Sequence, residues 1–305
     1  MARTRRIAII GAGVIGLSWA ELAREHGWEV AFSDPRPDLA ELVATQFPGD
    51  AAVEVAVDLA AAVAGADLVQ ENGPERLPVK RELFAQILAA APGDAVLATS
   101  SSSIGATPIA AELDDPSRVI VGHPFNPPAL MPLVEVVPGE HTSEATTQLA
   151  VTLYRELGRS PVVLRKEIPG FVANRLQLAV SREARYLVEQ GVVSVADLDV
   201  ALRNSLGLRW ASTGLFEGNA LGGGPEGAKH LFAGVGAQVG SIELGTPSST
   251  PESTEALVAK IDAAYGVGQE SYDRLLARRD RRTRAVLEAL RAADEGEQRR
   301  AGGND

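Results

Sequence analysis

No cysteine occurs in the 305-residue chain. That excludes disulfides, thiolate metal sites and a cysteine nucleophile, and it fits a reducing compartment. Histidine is scarce as well. His26, His123, His141 and His230 are the four present, and their scatter gives no metal-ligand spacing, so no metal is expected. Positive charge is in deficit, with 29 Lys and Arg against 40 Asp and Glu and a formal net charge of −11. A surface of that sign opposes nucleic acid and anionic membranes, both of which call for a phosphate-neutralising field. No stretch approaches the roughly 20 apolar residues of a membrane span. The expectation is a cytoplasmic protein that works on a small molecule. One segment imitates an export signal: the basic start, Met1 to Arg6, followed by the small apolar run Ile7 to Ala20. A different pattern accounts for it better.

That pattern is Gly11-Ala12-Gly13-Val14-Ile15-Gly16, set between the apolar run Ile7 to Ile10 and a helical stretch, Leu17 to Glu25. Glycines where a strand turns into a helix are the context of a dinucleotide fingerprint. Gly11 permits a tight turn, Gly13 has no Cβ to hold off a pyrophosphate, and Gly16 lets helix and strand pack closely. The free N–H groups of the helix start, around Val14 and Ile15, would face the phosphates. A second strand, Trp28 to Ser33, ends in Asp34. A carboxylate about twenty residues beyond the first glycine is placed to accept hydrogen bonds from an adenosine ribose.

The chain exceeds the usual size of one domain, so two are expected. Strand patterns at 53–57, 67–71, 95–99, 119–122, 133–137 and 161–164 alternate with helical ones at 38–45, 58–64, 77–90 and 143–157, which argues a parallel, doubly wound sheet. After Pro169-Gly170 the strand signals nearly vanish. Helical patterns at 171–189 and 195–205, loop-like Gly/Ser/Pro stretches at 222–224 and 245–251, and a charged helix over 277–300 describe an all-helical second domain. The expected division is a Rossmann-type domain over 1–167 and a helical domain over 168–305. The arginines at 278, 279, 281 and 282 read as a solvated helix face, and residues 302–305 as an unstructured end.

The chemistry lies in the middle. His123-Pro124-Phe125-Asn126-Pro127 directly follows the strand at 119–122, and Glu135 sits inside the next one. Open α/β sheets place ligands at strand ends beside the nucleotide site. A glutamate buried in an apolar strand needs a partner to stay ionised, and an imidazole N–H is a natural one. Such a pair is either catalytic or a structural hydrogen bond, and spacing alone leaves both open.

These segments, together with Glu75, Lys80, the serine run Ser100 to Ser103 and Pro169-Gly170-Phe171-Val172-Ala173-Asn174-Arg175, occur in the order and spacing of the 3-hydroxyacyl-CoA dehydrogenase family. The chain resembles that family over nearly its whole length. The resemblance implies NAD as cofactor, His123 as general acid/base, Glu135 as the group that orients it, Ser102 and Asn174 as substrate contacts, and Glu75 and Lys80 as cofactor-side contacts. It also implies a homodimer formed through the helical domain.

Two departures bear on substrate. Fatty-acid-degrading members carry a longer insertion after the second strand, a helix pair with basic residues that meets coenzyme A, and the stretch from Asp34 to Asp67 is too short for it. Leu206-Gly207-Leu208-Arg209-Trp210-Ala211 stands where those enzymes have an apolar Pro-Met-Gly-Pro turn. With Asp197-Leu198-Asp199 and Gly214-Leu215-Phe216-Glu217, it is similar to the branch acting on free hydroxy acids such as L-gulonate and L-carnitine. Arg209 then becomes a candidate for the substrate carboxylate, or else pairs with a helix carboxylate or stacks on Trp210. The expected activity is NAD-dependent oxidation of a 3-hydroxyl to a 3-oxo group. The alternatives are a short 3-hydroxyacyl thioester as substrate and a non-catalytic, crystallin-like nucleotide-binding protein.

Overall fold

The computed structural model describes residues 3–302 and divides into two compact units, 1–175 and 176–305. In chain order the first unit contains β1 (Arg6–Ile10), α1 (Val14–Glu25), β2 (Glu29–Ser33), α2 (Leu39–Gln46), β3 (Val53–Val55), α3 (Leu59–Val63), β4 (Leu68–Glu71), α4 (Leu77–Ala90), β5 (Val96–Thr99), α5 (Ala106–Ala110), β6 (Val119–Pro124), β7 (Leu133–Pro138), α6 (Glu144–Glu156) and β8 (Ser160–Val163). The eight strands form one sheet in the order β3-β2-β1-β4-β5-β6-β7-β8.

Strand composition dictates this arrangement. β1 is apolar on both faces because helices cover both. Ile7 and Ile9 join one buried cluster with Trp19, Phe32, Ile120 and Tyr154, while Ala8 and Ile10 join the other with Phe84, Leu97, Ile109 and Val121. The order in which strands are added reverses at β1, with β2 and β3 on one side and β4 onward on the other. A crevice opens at such a switch point, outside the carboxyl ends of the strands.

One expectation needs correction. The sheet is parallel only through β6; β7 pairs antiparallel to β6, and β8 lies parallel to β7. The connection from β6 to β7 contains no helix, so the chain returns as a hairpin and not as a crossover. His123 therefore lies within β6, not after it, directly across from Glu135 in β7.

α7 (Ala173–Glu189) starts at the end of the first unit and continues into the second. There follow α8 (Val195–Asn204), α9 (Leu206–Ser212), α10 (Leu215–Gly222), α11 (Ala228–Ala233), α12 (Val235–Gly240), α13 (Pro251–Tyr265) and α14 (Gln269–Gly302). Gly302 closes the last helix, and the rest of the expected unstructured end, 303–305, lies outside the described residues. Among the described residues no helix is long and apolar enough to cross a membrane.

Candidate active site

The glycine turn has the geometry a dinucleotide requires. Gly11 has φ of +100°, and a Cβ there would stand 2.9 Å from the Asn72 carbonyl. A Cβ on Gly16 would come within 2.0 Å of the Gly11 oxygen, so strand and helix could not approach as they do. At Gly13 nothing lies within 4 Å of the place a Cβ would take, which is the open space a pyrophosphate needs beside the N-terminus of α1. Val14 begins that helix, largely exposed, with Ile15 after it. Beside the turn runs a cleft of about 620 Å³ lined by Gly11, Asp34, Val57, Leu59, Gly73 and Leu83 among others. Asp34 accepts the Ala12 N–H at 2.7 Å and the Arg36 N–H at 2.9 Å, which aims its carboxylate across the glycine turn.

The hairpin of β6 and β7 supplies the second part. His123 Nδ1 lies 2.8 Å from Glu135 Oε2, and both residues are buried. The other oxygen, Oε1, accepts the Val172 and Ala173 N–H groups at 2.8 and 3.0 Å. Those are among the otherwise unpaired donors at the start of α7. Burial raises the affinity of Glu135 for a proton, but the hydrogen bonds from His123, Ala173 and Val172 outweigh it and hold the pKa below the ordinary glutamate value. Phe171, in the left-handed region with φ of +49°, packs on the His123 ring with centroids 5.4 Å apart. Asn174 follows in the first turn of α7, partly exposed.

The serine run forms the third part. After β5, Ser100 Oγ hydrogen-bonds Asn72 Oδ1 and accepts from Trp19 Nε1 and Gln70 Nε2. Glu75 Oε1 accepts from Ser101 Oγ, Ser102 N, Ser103 N and Ser103 Oγ at 2.7 to 3.1 Å. Ser102 itself is exposed. Lys80 points inward: only 1% exposed, its Nζ lies 2.8 Å from Glu71 Oε2 and 3.5 Å from Glu75 Oε2.

Family models of the 3-hydroxyacyl-CoA dehydrogenase NAD-binding domain and C-terminal domain match residues 48–168 and 170–272. The chain belongs to the 3-hydroxyacyl-CoA dehydrogenase family. It is an NAD-dependent oxidoreductase of the 3-hydroxy acid class. An L-carnitine dehydrogenase of Streptomyces coelicolor is 41% identical over 94% of each chain. A 3-hydroxyacyl-CoA dehydrogenase of Gibberella moniliformis is 39% identical over 90% of this chain and 92% of its own. Among solved structures, an NAD-dependent dismutase, 5-formyl-3-hydroxy-2-methylpyridine 4-carboxylic acid 5-dehydrogenase, has a TM-score of 0.78 at 29% identity, covering 95% of this chain and 99% of that one.

Arg209 belongs to the second unit. It is exposed in α9, and its guanidinium has no carboxylate partner among the described residues. Two features escaped the sequence. The buried Glu71–Lys80 pair, with Thr99 Oγ1 donating to Glu71 at 2.6 Å, had no signal beyond an acidic strand end. The chain Tyr154–Gln70–Ser100, with Tyr154 OH on Gln70 Oε1 at 2.8 Å, joins residues that nothing local connects.

Proposed function

We propose that this enzyme oxidises the 3-hydroxyl of a small free hydroxy acid, of L-carnitine or L-gulonate type, reversibly to the 3-oxo acid. The observation that carries the free-acid reading is the stretch between Asp34 and β4. It holds only α2, β3 and α3, and no lysine or arginine occurs between Arg36 and Arg76, so the phosphates of coenzyme A would find no cations there. The resemblance to an L-carnitine dehydrogenase points the same way.

In the oxidative direction His123 removes the hydroxyl proton through Nε2, the ring nitrogen not engaged by Glu135. NAD, when bound in the glycine cleft, supplies the acceptor for the hydride leaving the carbinol carbon. Glu135 fixes the ring orientation through Nδ1–H and stabilises the imidazolium that forms. Ser102 and Asn174 hold the reacting oxygen. Arg209 takes the substrate carboxylate in a paired hydrogen bond. We extend the reading to a cytoplasmic homodimer divided near residue 168, with Lys80 bearing on the cofactor site only through its buried carboxylate partners.

The test is spectrophotometric NAD reduction with L-carnitine, L-gulonate, 3-hydroxybutyrate and 3-hydroxybutyryl-CoA. Turnover of a free acid is expected. Preference for the thioester would return the enzyme to its CoA-using relatives, and inactivity on all four would refute an L-carnitine- or L-gulonate-type substrate.

A further inference from the structure

The serine run carries four hydroxyls in a row, and their fates differ. Ser100 Oγ is spent on Asn72, Trp19 and Gln70. Ser101 Oγ donates to Glu75 at 2.7 Å and accepts the Ile104 N–H at 2.8 Å. Ser103 Oγ donates to Glu75 at 2.8 Å. Ser102 gives only its backbone N–H to Glu75, and its hydroxyl has no partner among the described residues. One carboxylate oxygen thus gathers two hydroxyls and two amides from three consecutive residues, and it leaves outside the one hydroxyl proposed to meet substrate.

The carboxylate is itself held from below. Lys80 Nζ reaches Glu75 Oε2 at 3.5 Å from a buried seat on Glu71, whose Oε2 also accepts from Thr99 Oγ1. Burial works to raise the Glu75 pKa, but hydrogen bonds from Ser101 and Ser103 and the charge of Lys80 bring it below the ordinary value.

We infer that Glu75 is a positioning residue: braced by Lys80, it fixes the 101–103 loop so that the Ser102 hydroxyl is presented to the substrate oxygen. This differs from a cofactor-side contact and rests on the proposed substrate role of Ser102. A loop free to rotate would lose the alignment on which transition-state hydrogen bonding depends.

The experiment compares Glu75→Ala, Glu75→Gln, Ser102→Ala and the Glu75→Ala/Ser102→Ala double variant. For each, kcat and KM are measured with whichever of the four screened compounds is turned over fastest, the Kd for NAD by calorimetry, and the melting temperature. Glu75→Ala should lower kcat/KM roughly ten- to a hundredfold, with the NAD Kd changed less than about twofold. Glu75→Gln should recover most of the loss, because the amide oxygen still accepts from the loop. In the Ser102→Ala background, Glu75→Ala should cost almost nothing further, the non-additivity of residues acting as one unit. A weakened NAD Kd with kcat retained would overturn the inference, as would additive losses in the double variant. Full activity of Ser102→Ala alone would refute the substrate role of Ser102 and the inference with it. Impaired Ser102→Ala beside unimpaired Glu75→Ala would refute the positioning alone. If Glu75→Ala melts below the assay temperature, Glu75→Asp decides: its carboxylate is one methylene too short to gather the loop, so a lowered kcat at unchanged NAD Kd is expected and a normal kcat would refute the positioning.

Discussion

His123 has one ring nitrogen committed to Glu135, and in the proposed mechanism the other carries the proton in transit. His123→Ala should therefore lower kcat by about two to four orders of magnitude while the NAD Kd stays nearly unchanged, because the glycine cleft is built from other elements. Normal turnover in that variant would remove His123 from the mechanism. Asp34 sets a second expectation. Its carboxylate would repel a 2′-phosphate, and Arg36, a cation two residues on that could offset this, is paired with Asp38 at 2.7 Å. NAD should be favoured over NADP by at least roughly tenfold in kcat/KM, about 1.4 kcal/mol of discrimination, and equal use of both cofactors would contradict it. Arg209 is the third. A fork with no carboxylate partner among the described residues can donate two parallel bonds to a substrate carboxylate, so Arg209→Met should raise KM for the free acid roughly ten- to a hundredfold, as expected for a charged hydrogen bond of about 1.5–3 kcal/mol. Arg209→Lys should restore part of it, and unchanged kinetics in Arg209→Met would assign the residue to structure.

At the scale of elements, Glu135 joins the β6–β7 hairpin to the start of α7, and that junction titrates. Because its pKa is depressed in the folded protein, ionised Glu135 stabilises the fold fully above the unfolded glutamate value of about 4.3, and the contribution is lost as pH falls through the lower folded value. Thermal unfolding followed through the acid range should show a shallower decline for Glu135→Gln than for the parent, and identical acid limbs would refute the linkage. Much of this was legible beforehand. The glycine spacing, the strand ending in Asp34 and the switch to helix after Pro169-Gly170 are local signals, set by turn geometry and periodicity. The antiparallel return was not legible, because an apolar strand reads alike in either direction. Nor were the helix-start donors to Glu135, which come from residues far along the chain. The helices α9 to α12 are short and rich in glycine, so their periodicity is too brief to register.

For the whole molecule, the second unit leaves large apolar side chains uncovered: Leu208, Phe216, Leu221, Phe232 and Leu244 are each more than half exposed. Apolar surface on that scale calls for a cover. Light scattering at micromolar concentration should give roughly twice the 32.0 kDa chain mass, and a monomer would refute the proposed dimer. The double duty proposed for Glu135 also bears on how such a chain can drift over generations. A lineage that abandoned catalysis would still be selected to keep Glu135, since losing it takes the acceptor from the half-buried N–H groups of Val172 and Ala173 at the start of α7 and weakens the fold. Ser102, whose hydroxyl has no partner among the described residues, would be free to change at once. Among relatives, then, a retained glutamate attests only to a folded protein, whereas a retained serine, given the role proposed for Ser102, attests to selection for turnover.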